Sequence, residues 1–265
     1  MNINIQLKPR RVLSALLLLI SFLFLMNLFA GWMLYVWQPS FPGDASIIDF
    51  FYMDYEINLP TWVASKLLFV NAALLLLIAI VYKQNDLGLW KQWGLLSVTF
   101  LYLSIDEATL LHEKFKLVPD GQNLTLPFDI ALPSYFTWVF PAIVLLAILG
   151  VMLLPFLRKI SPTLRKRFFI AGAIYVGGAI GFEFIGGQIW ETIGDSSMIY
   201  VFVMGIEESM EKLGLALFLF ALLDHLPDIL SQATISAAQT KPVWDATSPA
   251  KSPESAPALA RESDQ

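Results

Sequence analysis

Two acidic clusters and one lone glutamate lie inside apolar runs of this chain, and their residue types suit acid–base chemistry or cation binding. The first cluster, LSIDEATLLHEKF at 103–115, carries Asp106, Glu107, His112 and Glu113. The second is Glu207-Glu208-Ser209-Met210-Glu211-Lys212, and the lone acid is Glu183 in a glycine-rich run. Carboxylates exchange protons and bind hard or borderline cations, and an imidazole adds a base that titrates near neutrality. Ionisable groups at membrane depth are costly, so each one is a functional hypothesis by default.

The elements that must position these groups are membrane helices. The chain has 265 residues, 57% hydrophobic and 15% charged, against about a quarter charged in a soluble domain. Apolar runs of about twenty residues recur at 12–37, 62–82, 90–112, 133–157, 168–190 and 198–223. The expected fold is an all-α polytopic membrane protein, a six-transmembrane-helix bundle with a disordered C-terminal tail. Residues 1–11 would be a cytoplasmic amino terminus, 12–228 the membrane domain and 229–265 the disordered cytoplasmic tail. The first run exceeds the roughly 7–15 residues of a signal-peptide core and is read as a retained span. Pro141 is expected to kink the fourth span.

Composition removes several functions. There is no cysteine, which excludes disulfides, thiolate catalysis and iron–sulfur clusters. The only histidines are His112 and His225, too far apart along the chain pattern for bis-histidine haem ligation. No extended basic patch supports nucleic-acid binding.

Basic residues set the expected orientation. Lys8, Arg10 and Arg11 precede the first span, Lys83 and Lys91 flank the second loop, and Arg158, Lys159, Arg165, Lys166 and Arg167 fill the fourth. The loop at 38–61 has acids and no Lys or Arg. The positive-inside rule then puts both termini in the cytoplasm of a bacterial inner-membrane protein. Spans three and five run outward and span six inward, so all three carry acid at middle to outer depth. At 100° per residue Asp106 and Glu113 share a helix face, and Glu207, Glu208 and Glu211 form one interior stripe. Lys212 pairs with Glu208 at i,i+4, and Lys66 is available to Glu107. Facing lipid, Asp106, Glu107, Glu183, Glu207, Glu208 and Glu211 would cost at most about 15–20 kcal/mol, above a typical stability of about 5–15 kcal/mol. They must face inward and meet protons, counter-ions, water or a bound cation.

The leading expectation is a divalent-metal site with Asp106, His112, Glu113, Glu183 and Glu208 as ligands. The metal would be Fe, Mn, Zn or Mg. Glu207, Glu211 and Glu107 are the candidate catalytic bases, acting on a lipidic or other small substrate that enters from the outer leaflet. The di-iron bundle template matches in ligand class, but its Glu-x-x-His pairs are missing. Membrane lipids are the expected partners. A proton- or cation-coupled transporter and a purely structural interhelical polar network remain open alternatives.

Two resemblances bear on these readings. Glu207-Glu208-x-x-x-Lys212 resembles the EExxxR motif of CAAX-processing and bacteriocin-immunity membrane proteases, with Lys for Arg. That implies intramembrane proteolysis, but the histidine motifs that follow in that family reduce here to His225. The pair SIDE…LHE and EESMEK also resembles a pattern in uncharacterised bacterial multi-spanning proteins, which implies membership without an activity.

Overall fold

The structure is a computed structural model that describes residues 8–37, 42–115, 117, 123–126, 130–133 and 137–240. It is a helical bundle. Helix α1 is Pro9–Trp32, continued by a π turn at Met33–Trp37; α2 is Pro42–Phe51; α3 is Leu59–Gln84; α4 is Trp90–Thr109. A 3-10 turn at His112–Phe115 and a small antiparallel hairpin follow, β1 Asn123–Leu126 and β2 Ile130–Pro133, with Asn123 opposite Pro133. Then come α5 Val139–Lys159, α6 Pro162–Val176, a π turn Gly177–Phe182, α7 Glu183–Ile193 and α8 Met198–Thr240.

Among the described residues, five helices are long and apolar enough to cross a membrane: Pro9–Trp37, Leu59–Gln84, Val139–Lys159, Pro162–Ile193 and Met198–Ser231. The less apolar α4 packs along α3 as a tight antiparallel hairpin. Ser65 and Ser104 seal that pair, each hydroxyl donating to the other's carbonyl at 2.9 Å. Exchanging side-chain and main-chain bonds leaves no unpaired hydroxyl between the helices, which lipid would not satisfy.

Helix α8 is the axis of the bundle, packed by α1, α3, α6, α7 and the second π turn. Close approach depends on glycines. A Cβ on Gly31 would fall 2.5 Å from Val201 Cγ1, and one on Gly214 would fall 2.8 Å from the Ala171 carbonyl oxygen. Small residues at helix crossings are how bundles gain packing energy in lipid. The half of the bundle that holds the basic helix ends is filled by apolar side chains. There Trp93 packs edge-on to Phe156 at 4.8 Å, and Phe168 stacks on Phe218 at 4.3 Å. At the other end, Tyr52, Met53 and Asn58 of the loop at 52–58 turn inward. Asn27 ties them to α8, accepting from the Met53 N–H at 2.9 Å and donating to the Val201 carbonyl at 3.1 Å.

Several boundaries differ from expectation, each for a local reason. The third span stops at Thr109 because Leu110 turns left-handed, φ 54°, so Asp106 and Glu113 do not share a helix face. The fourth helix starts at Val139, since Pro133 ends a strand; Pro141 therefore sits in the first turn, where no N–H is needed. The interior proline is Pro155. Residues 229–240, expected to be disordered, continue α8 through Pro227, so Asp224-His225 is not a helix end. The rest of the expected tail, from 241, lies outside the described residues.

Candidate functional site

The acids of α4, α7 and α8 meet in the half of the bundle on the α2 side. Three are bound to named partners. Asp106 folds the end of α4 back on itself: its Oδ1 accepts the His112 backbone N–H at 2.7 Å, and its Oδ2 lies 3.0 Å from His112 Nδ1. A left-handed leucine costs on the order of 1–2 kcal/mol, and these two bonds hold the turn that Leu110 makes. The His112 ring lies 4.8 Å from that of Trp138, whose indole N–H donates to Glu183 Oε1 at 2.9 Å. Asp106, His112, Trp138 and Glu183 thus link α4, the head of α5 and α7 in one chain.

Glu208 forms an ion pair with Lys212, whose side chain is completely buried. The i,i+4 pairing expected from the sequence is present. Lys66 is exposed instead, its ammonium 6.0 Å from the Trp62 ring centroid, and it does not serve Glu107. A lysine near the end of a span reaches the interface more cheaply than it reaches a buried acid.

The other three acids make no ion pair among the described residues. Glu207 is 7% exposed and its Oε2 has no hydrogen-bond partner. Glu211 lies one turn further along α8, within electrostatic reach of Glu208, Glu107, Lys212 and Glu183. Glu107 of α4 is within electrostatic reach of Glu208, Lys212, His112 and Asp106. Glycines bring the α6–α7 rod onto this stripe. A Cβ on Gly178 would sit 2.9 Å from the Glu207 carbonyl oxygen and 3.2 Å from Glu211 Cγ. One on Gly186 would sit 3.2 Å from Met204 Sδ and 3.8 Å from Glu207 Oε2. The π turn at Gly177–Phe182 inserts a wider turn just before Glu183 and shifts its phase. Such turns are frequent at functional sites.

The expected metal set does not gather. Among the described residues, no group of three or more His, Asp or Glu side chains is arranged to hold a metal ion. Asp106 and His112 bind each other, Glu183 takes the Trp138 N–H, and Glu208 takes Lys212. The Glu113 side chain lies outside the described residues. Among the described residues, the donors are therefore dispersed over separate partners rather than turned toward one point, as a divalent cation requires. Glu207, Glu211 and Glu107, expected as bases, are the acids of this cluster that make no ion pair among the described residues. His225, which the protease resemblance would require beside them, lies about 25 Å along α8 at 1.5 Å per residue, against Asp228 at 3.2 Å.

Sequence reasoning missed Trp138, Tyr175, Asp54 and Tyr200. Tyr175 of α6 is within electrostatic reach of Glu211, Glu107, Asp106 and Glu208. Nothing in its apolar run marks it. Asp54, in the inward-folded loop, accepts the Tyr200 hydroxyl at 2.7 Å and places an acid at the head of α8. Burial pushes the Asp54 carboxyl above its ordinary range, the Tyr200 bond opposes this, and Asp195 and Glu208 push it further up. A carboxyl with a raised folded-state pKa contributes stability present below its unfolded pKa and lost as pH rises through the folded value. Relative to wild type, Asp54→Asn should therefore melt progressively higher as pH is raised from about 4 to 8, read by thermal unfolding in detergent. A melting difference that is flat or falls with pH would contradict this account.

The fold and site together define a helical membrane protein with a half-buried carboxylate cluster in one half of its bundle. The chain belongs to a family described as a domain of unknown function (DUF8692), whose model matches residues 12–226. That match includes both acidic clusters and Glu183. Neither a curated protein nor a solved structure matches the chain.

Proposed function

We propose that this protein is a proton-coupled membrane transporter whose exchange site is the carboxylate string of α4, α7 and α8. Its setting would be a bacterial cytoplasmic membrane, crossed six times when α4 is added to the five longer apolar helices, with both termini in the cytoplasm. The basic ends of α1, α3, α5 and α6 favour that orientation.

One observation carries the reading: Glu107, Glu207 and Glu211 are drawn into the bundle with no ion pair. Left ionised, three such groups would cost about 8–10 kcal/mol, the whole stability of an ordinary domain. Protons are the cheapest way to neutralise carboxylates that are strung along two helices rather than gathered around a point. Lys212, buried among them, supplies a fixed positive charge against which one proton more or less is a large local change. The glycine-lined contact of the π turn on α8 lets the α6–α7 rod slide against the string, the shear motion alternating access needs.

The test uses full-length protein. A hydrophobic carbodiimide reacts with buried protonated carboxyls, so mass spectrometry should find Glu207 and Glu211 labelled, with labelling falling as pH rises. In liposomes under an imposed pH gradient, dye-reported proton movement should fall about tenfold or more in Glu207→Gln and Glu211→Gln, a loss of about 1.4 kcal/mol or more. No labelling and no protein-dependent proton movement would refute the proposal. One bound metal per chain, lost in the same variants, would put a metal site in its place.

A further inference from the structure

The basic end of the bundle holds a charged cleft that the carboxylate string does not use. Arg167 of α6 lies there against two consecutive turns of α8. Its guanidinium carbon is 5.1 Å from the Phe220 ring centroid, and its Nη1 donates to Asp224 Oδ2 at 2.5 Å. The pairs Asp106–His112, Glu208–Lys212 and His225–Asp228 each stay within one segment. Arg167–Asp224 joins two helices. One turn beyond Asp224, on the same face of α8, is a second carboxylate, Asp228. Its side chain is 71% exposed and lies 3.2 Å from His225 Nδ1. Arg167, Asp224, His225 and Asp228 line one cavity of about 310 Å³, with Ser161 and Thr163 at the head of α6. At about 30 Å³ per water, the cavity leaves room for a guanidinium to pass from one carboxylate to the other.

Positions 220, 224 and 228 of α8 recur at four-residue steps. Arg167 therefore has two seats: between Phe220 and Asp224, as found, and between Asp224 and Asp228. The seats are about 6 Å apart at 1.5 Å per residue. Helix surfaces repeat at this spacing, so ridges that leave one set of grooves enter the next. The contact further along the two helices suits such a step, because Gly214 and Gly178 present no Cβ to the facing backbone. The Arg167–Asp224 pair is also easily broken. Its side chains are 34% and 42% exposed, and exposed ion pairs contribute little. Each seat offers the guanidinium a carboxylate, so neither leaves it unpaired.

We infer that Arg167 is the pawl of a one-turn ratchet between α6 and α8, resting on Asp224 in this structure and on Asp228 in a second register. As a regulator of the proton site this rests on the transport reading; as a two-register contact it does not. A step to Asp228 carries the α6–α7 rod about 6 Å toward the basic end. Gly178, now against the Glu207 carbonyl oxygen, moves toward the level of Glu211, and Glu183 moves with it. His225 releases Asp228 as Arg167 arrives. One-turn steps of one packed element past another are an established form of switching.

The experiment has two arms, both on full-length protein. The chain has no cysteine, so spin labels can be placed on Lys166→Cys of α6 and Ser231→Cys of α8, both exposed. Ser231 lies beyond Asp228 toward the basic end, so the step brings the labels closer. By pulsed EPR, Asp224→Asn should shorten the main distance by about 3–6 Å, because only Asp228 is left to pair with Arg167. Asp228→Asn should keep the wild-type distance. Arg167→Gln/Asp224→Asn removes the attraction to Asp228 and should not show the shortened distance. An unchanged distance in Asp224→Asn, an equal shift in Asp228→Asn, or a shortened distance that survives in the double variant overturns the ratchet. In liposomes, Asp228→Asn should slow proton movement about tenfold while carbodiimide labelling of Glu207 is unchanged. Proton movement at the wild-type rate in Asp228→Asn overturns the regulatory role and leaves the transport proposal standing. A shortened distance in Asp224→Asn with no proton movement in wild type refutes transport and leaves the ratchet in place.

Discussion

Replacing Lys212 by methionine is expected to destabilise the bundle by about 3–5 kcal/mol. The ammonium is fully buried and pairs with Glu208. Methionine matches its length and volume, so packing changes little. What changes is charge: Glu208 loses its ion-pair partner while Glu107, Glu207 and Glu211 remain within electrostatic reach. Removing one member of a buried pair costs more than the pair contributes, because the survivor stays desolvated. Thermal unfolding in detergent should show the drop, and Glu208→Gln/Lys212→Met should recover most of it. If the double variant is no more stable than Lys212→Met alone, the charge argument fails and the loss is one of shape.

Gly214→Ala should produce the second large effect. A Cβ there would lie 2.8 Å from the Ala171 carbonyl oxygen, the Tyr175 nitrogen and Tyr175 Cβ. Two of those atoms are backbone, so no rotamer change relieves the clash and α6 as a whole must move. Overpacking of this kind costs about 1–3 kcal/mol, sometimes more. Because α6, the π turn and α7 form one continuous rod, the shift also carries Gly178, Glu183 and Gly186 away from Glu207 and Glu211. Gly214→Ala should therefore lose thermal stability and slow proton movement together. Gly172→Ala is the control. Nothing lies within 4 Å of its added Cβ, so it should be neutral or stabilise by up to about 1 kcal/mol through helix propensity. Equal losses in both variants would mean that helix glycine content, rather than the α6–α8 contact, sets stability.

The convergence of acids was legible because depth can be computed from chain position. Apolar runs mark where each helix enters the membrane, rise per residue is fixed, and Glu183, Glu207 and Asp106 then fall in the same half. The Glu208–Lys212 pair was legible for a similar reason, since i,i+4 spacing brings side chains together on any helix. Lys66 was assigned wrongly because depth matching ignores the side an exposed lysine faces. His112 and Glu113 were placed on a helix that ends before them, as a left-handed Leu110 has no glycine or asparagine to announce it. The phase of Glu183 depends on a π turn that repeated glycines permit but do not require.

What the chain pattern determined by itself is the helical bundle, its membrane-spanning character and the half of the bundle in which its acids sit, because hydrophobicity and helical rise act residue by residue. Which acids are paired and which are left bare was decided only by tertiary structure. That outcome turns on small differences in how α4, α7 and α8 rotate and approach, set by glycine contacts and by a turn held between Asp106 and His112. Partners separated by forty or more residues, such as Trp138 with Glu183 or Asn71 with Leu215, have no local signature, since either member would be as stable in its own helix without the other.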